Sequence, residues 1–233
     1  MVLETLGLVV VVALALWGVL KWVAATPGLM TNVKACRGGW AEARLRGCEL
    51  GIGHTGIPVE PFNTFSNVAY LAAGWVLYRL LHTPAALVLA LAMTLLCVGS
   101  SMYHGTKSMW GARLDHAGMY AVFGALVIYC IAPEHPAIQY IMAGGALAMA
   151  IGFSFVVPGD LNARMGLLLG LMAIRGFLLG TPRLAGWSIG FFAVAFAAWL
   201  LDKHTTKLSH FGHAIWHIFT AAAMTTMFSA LTP

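Results

Sequence analysis

Residues 85–104 read AALVLALAMTLLCVGSSMYH, a run with no Asp, Glu, Lys or Arg that closes on His104. About 20 consecutive apolar residues are what a helix needs to cross the hydrocarbon core of a bilayer. Working outward, similar runs recur at 3–25, 62–82, 114–131, 137–157, 163–180, 184–201 and 210–231. They are continuous and rich in Leu, Ala and Met, whereas barrel strands are short and alternate in polarity. Turn residues fill the gaps: Thr83-Pro84, Pro133 to Pro136, Pro158-Gly159-Asp160 and Thr181-Pro182. The one long connection is 26–61.

Composition agrees. Of 233 residues, 60% are hydrophobic and only 9% charged, against about 25% charged in a soluble domain. So few charges cannot clothe a water-facing surface. The expected fold is an all-α integral membrane protein of eight spans. The net charge of +5 comes from scattered Lys and Arg, so nucleic acid is not an expected partner and the membrane is. If the spans alternate, one face receives Lys21, Lys34, Arg37, Arg44, Arg46, Lys107, Arg113, Arg164, Lys203 and Lys207, and the other only Arg79 and Arg183. The positive-inside rule makes the first face cytoplasmic. Glu4, with no Lys or Arg before the first span, fits an uncleaved helix better than a secretory leader.

An ionisable residue inside or at the mouth of a span is a functional candidate. The run at 85–104 ends in Ser100 and His104, the next opens with Leu114-Asp115-His116, and the last opens with His210, His213 and His217. Alternation of the spans brings all three ends to the Lys/Arg-rich face. His213 and His217 are four apart, about 40° on a helix circumference, so both imidazoles project from one side. Such a pair can fill two positions of a tetrahedral zinc, and a third imidazole would leave a fourth position for water. By geometry alone either His104 or His210 can be the third.

Each reading has a plain counterpart. Ser100 lies one helical turn before His104 and can donate to an oxyanion or bond back to its own helix. Asp115 can move a proton or cap the helix that follows it. Asn63, Ser66 and Asn67 can order the surroundings of a metal, but bonding between helices is the simpler expectation.

Taken together, Ser100-x3-His104, Asp115 eleven residues later, and His213-x3-His217 in the last span resemble the signature of the alkaline ceramidases. More broadly they resemble the CREST superfamily of seven-helix membrane hydrolases and receptors. Upstream, Cys48-Glu49 followed by Glu60-Pro61-Phe62-Asn63-Thr64-Phe65-Ser66-Asn67 resembles the start of the first conserved helix of the ceramidases. The resemblance implies two parts: an N-terminal transmembrane helix and connecting loop over 1–46, and a seven-helix hydrolase domain over 47–233. It implies a bacterial-type member, multi-pass in the inner membrane, and the alternation of spans puts the zinc site near the Lys/Arg-rich face, expected to be cytoplasmic.

The resemblance also implies the chemistry. His104, His213 and His217 would hold zinc, Asp115 would be the acid/base group and Ser100 would lie beside the reacting carbonyl. The substrate class would be ceramide or another N-acyl lipid reaching the site from the bilayer, cleaved to a fatty acid and a sphingoid base. A calcium site in the family's acidic segment would draw Glu49 and Glu60 as ligands, but Arg46 replaces an Asp and Gly51 an Asn of that pattern. A local Arg charge opposes a cation that needs about six to eight oxygens. The alternative within the superfamily is a receptor whose zinc is structural or lipid-sensing.

Overall fold

The structure, a computed structural model, describes residues 60–106, 109–131, 180–204 and 211–231. It also describes Pro58, His135 and isolated positions before residue 19 and between 137 and 178. The spans expected at 3–25, 137–157 and 163–180 therefore lie essentially outside the described residues, as do Glu49 and His210. Among the described residues the regular structure is entirely helical. The elements are α1 (Pro61–Ser66), α2 (Val68–Leu81), α3 (Pro84–Thr106), α4 (Met109–Ile131), α5 (Pro182–His204) and α6 (Gly212–Leu231). Among the described residues three helices are long and apolar enough to cross a membrane: Pro84–Thr106, Pro182–Asp202 and Gly212–Leu231. Along α5, Trp187, Ile189, Val194 and Phe196 stand exposed, apolar side chains that suit lipid rather than water.

Local chemistry sets the boundaries. Pro61 opens α1, where its missing N–H would be an orphan anyway. His82 ends α2 in the left-handed conformation at φ 51°, its N–H bonded to Tyr78 O at 2.8 Å. Thr83 Oγ1 then accepts from Ala86 N at 3.2 Å, so α2 and α3 form a tight antiparallel hairpin. α4 begins at Met109, earlier than the apolar run at 114 indicates. Asp115 therefore sits in the second turn of α4, which corrects its reading as a helix cap.

The helices alternate in direction. α1 starts, α3 ends, α4 starts, α5 ends and α6 starts at one end of the bundle. At the opposite end Tyr129 of α4 stacks 4.5 Å from Phe228 of α6, and Thr181 N donates to Ala230 O at 2.9 Å. α4 thus ends and α5 begins on the same side, the parity that the eight-span reading requires. A core of Leu71, Leu89, Met93, Leu126, Met224 and Phe228 fills the space between α2, α3, α4 and α6.

In lipid, helices gain little by hiding apolar surface from one another, so close backbone approach matters more. A Cβ on Gly118 of α4 would stand 2.4 Å from Leu96 Cα, and one on Gly99 of α3 would stand 2.4 Å from the carbonyl of Leu114. Both contacts are with main chain, which cannot rotate out of the way. Gly118→Ala should therefore wedge α3 from α4 at a cost of about 1–3 kcal/mol, the usual range for overpacking. Thermal unfolding in detergent should show a midpoint lower by several degrees, and an unchanged midpoint would refute the close contact.

Candidate metal centre

Three elements meet at the end of the bundle where α1 begins. α3 delivers His104 in its last turn, and α6 delivers His213 and His217 from its first two turns. The ring centroids lie 4.7 Å apart for His104–His213, 5.1 Å for His104–His217 and 4.7 Å for His213–His217. One candidate ligand atom from each of the three lies within 4.8 Å of the others. His104 and His217 are buried and His213 is half-buried. Three imidazoles gathered so closely are poor company as cations and good company as neutral donors to one metal ion. The structure thus brings together the three histidines expected from the sequence, with His104 supplying the third ring.

Glu60 and Ser66, at the two ends of α1, hold two of these rings from behind. Glu60 Oε2 lies 2.6 Å from His104 Nδ1 and also accepts from Asn63 Nδ2 at 3.1 Å. Ser66 Oγ lies 2.8 Å from His217 Nδ1 and donates to Asn63 O at 3.0 Å. The simple expectation that Ser66 serves only to join helices is therefore too narrow, because its bond between helices ends on a metal-ligand candidate. The pattern Glu60, Asn63, Ser66 at spacings of three puts a polar stripe on an apolar helix. That was the available signal. Glu60, read from the family resemblance as a calcium ligand, is placed against His104.

The remaining candidates lie around the trio. Ser100 is buried one turn before His104 on α3. Asp115 is half-buried, and its backbone N would lie 2.7 Å from a Cβ on Gly99. This contact fixes Asp115 beside the segment that carries Ser100 and His104. On α2, the Tyr70 ring centroid is 5.9 Å from that of His217. Tyr70 and Thr220 share a 2.6 Å hydrogen bond. Since Thr220 Oγ1 donates to Trp216 O at 2.7 Å, Tyr70 supplies the proton between them, locking α2 to α6 one turn beyond His217.

Two features went unread in the sequence. Asp202 is buried at the end of α5, where a Cβ on Gly212 would touch its Cβ at 2.4 Å. An acid closing an apolar span was the clue, and the contact seats the first turn of α6 just before His213. The second is an apolar groove of about 550 Å³ beside α1 and α6, lined by Phe62, Phe65, Ser66, Phe211, Ala214 and Ile218 among others. Phe62 and Phe211, both in its lining, pack against each other with ring centroids 4.7 Å apart. Its lining includes Ser66, the residue bonded to His217.

Fold and site together define a helical protein with helices long and apolar enough to cross a membrane and a three-histidine candidate metal centre at one end of its bundle. No protein-family model matches the chain, and no curated protein matches it.

Proposed function

We propose that the protein is a zinc-dependent membrane amidase that cleaves the N-acyl bond of ceramide or a related N-acyl lipid, as a member of the alkaline ceramidase family with seven helices over 47–233. The single observation that carries the reading is the convergence of His104, His213 and His217 within 4.8 Å. They converge at the end of the bundle where Gly99 holds the backbone of Asp115 close. The donor chemistry fits zinc, which is commonly held by three protein ligands with a fourth position open for catalysis. Bound there, the ion would polarise the acyl carbonyl and make water a nucleophile near neutral pH.

The chain's own residues would divide the remaining work. Asp115 takes a proton from the attacking water as the new C–O bond forms at the acyl carbon, and Ser100 donates a hydrogen bond to the developing oxyanion. When the C–N bond breaks, Asp115 returns the proton to the departing nitrogen. One water is consumed, its hydroxyl ending on the fatty acid and its hydrogen on the amine. The groove beside α1 and α6 supports a lipid substrate, since its apolar wall suits an acyl chain and its lining includes Ser66, the residue bonded to His217. Access from the bilayer spares such a substrate the cost of passing through water.

Detergent-purified protein is expected to release fatty acid from at least one member of a panel of ceramides and other N-acyl lipids, measured by mass spectrometry. A zinc chelator should stop the release and added zinc should restore it. No chelator-sensitive release from any member, by protein that binds zinc, would sink the hydrolase reading in favour of a lipid-sensing receptor.

A further inference from the structure

A neutral imidazole can carry its proton on either nitrogen, and only the nitrogen without it can bind a metal. A site of three histidines must therefore fix each ring's tautomer as well as its position. At His104 the partner of Nδ1 is the carboxylate oxygen of Glu60, which in its ionised form only accepts. Nδ1 then holds the proton and Nε2 keeps the lone pair. At His217 the partner is Ser66, whose single hydroxyl proton is donated to Asn63 O. Its oxygen is left to accept, so Nδ1 again holds the proton and Nε2 is available.

The support behind Glu60 is unusually dense. Its backbone N donates to His104 O at 3.1 Å, so the same residue grips His104 through both main chain and side chain. Its own carbonyl accepts from Thr64 N at 2.8 Å and Thr64 Oγ1 at 2.6 Å. Ser101 Oγ donates to Thr64 O at 3.0 Å, which returns the chain of bonds to α3 next to His104's own turn. Glu60, Asn63 and Thr64 are all buried. In so dry a place a carboxylate is retained only with partners, and the ones shown here are Asn63 and the metal-ligand candidate.

We propose that Glu60 and Ser66 are positioning residues of the metal centre, holding His104 and His217 in the tautomer that offers Nε2 to the ion. This inference rests on the three-histidine site of the proposed function and assigns α1 a role in metal affinity. It places Glu60 in the zinc site's surroundings rather than in a separate calcium site. The two supports are unequal: a carboxylate raises the basicity of the ring it holds, while a hydroxyl mainly orients it.

The test is zinc affinity of the full-length protein in detergent, by competition with a chromophoric chelator, with calcium titrated in parallel. Loss of such a partner typically weakens metal binding about 10–100-fold. Glu60→Ala should fall in that range, Glu60→Gln should lie between it and wild type because its amide oxygen still accepts, and Ser66→Ala should lose less than Glu60→Ala. Ser66→Thr, which restores a hydroxyl, should recover most of the loss. A merely structural role would lower the melting temperature of the metal-free protein and leave the increment on adding zinc unchanged. Positioning shrinks that increment.

If Glu60→Ala does not fold, Glu60→Gln, which keeps size and an acceptor, decides alone. Wild-type zinc affinity in Glu60→Gln and Ser66→Ala, or loss of calcium binding alone, overturns the proposal. These results stand apart from the hydrolase reading, whose failure would appear as zinc-binding protein that cleaves no amide.

Discussion

His217→Ala is expected to give a protein that folds but no longer retains a divalent metal. The ring is buried, with its Nδ1 against Ser66 and its centroid within 4.7–5.1 Å of the other two imidazoles. Removing a direct donor should cost more than the ~10–100-fold typical of losing an outer partner. The surroundings should survive, because Ser66 keeps its bond to Asn63 O and Tyr70 keeps its bond to Thr220. Elemental analysis after gel filtration would read metal content directly, and chelator competition would read the affinity. Amide cleavage should vanish with the metal. Stoichiometric zinc in this variant would remove His217 from the centre, and with it the reading of the three histidines as a unit.

Asp115→Asn should behave in the opposite way toward the metal. The substitution preserves shape and leaves the main-chain contact with Gly99 intact, so the packing of α3 on α4 is undisturbed. What disappears is a group able to accept a proton from water and return it to nitrogen. General acid–base catalysis is worth about 10²–10⁴-fold, and a loss in that range is expected in fatty-acid release. Zinc stoichiometry should match wild type. Full hydrolysis by Asp115→Asn would take this residue out of the reaction, while loss of zinc would make it part of the metal's support instead.

The outline was legible where physics is local. The run ending at His104 declares its helix by length and polarity alone, and the pair His213 and His217 declares a shared face by spacing. Even the meeting of His104 with them follows from counting crossings, because an even number of spans returns the chain to the same end. What stayed hidden depends on register between distant segments. Glu60 and His104 are separated by 44 positions and Ser66 and His217 by 151, and no local pattern says which nitrogen a hydroxyl will meet. The start of α4 was hidden for another reason. Residues 109–113, with Gly111 and Arg113 among them, read as the tail of a connection, yet they continue the helix, which moves Asp115 from its cap position into the second turn.

The glycine contacts between α3 and α4 bear on how this molecule can diversify. With Gly99 and Gly118 each pressed against main chain, neither helix can roll or withdraw without prying the other loose. The acid and one imidazole ride on that rigid pair, so their separation is inherited as a constant. On the proposed reading, tailoring to a different tail length or bulk would fall to the aromatic-lined groove beside α1 and α6, where the exposed side chains of Phe62, Phe65 and Ile218 could be resized one by one. If the proposed hydrolase reading holds, chemistry would sit on the stiff half and selectivity on the pliable one.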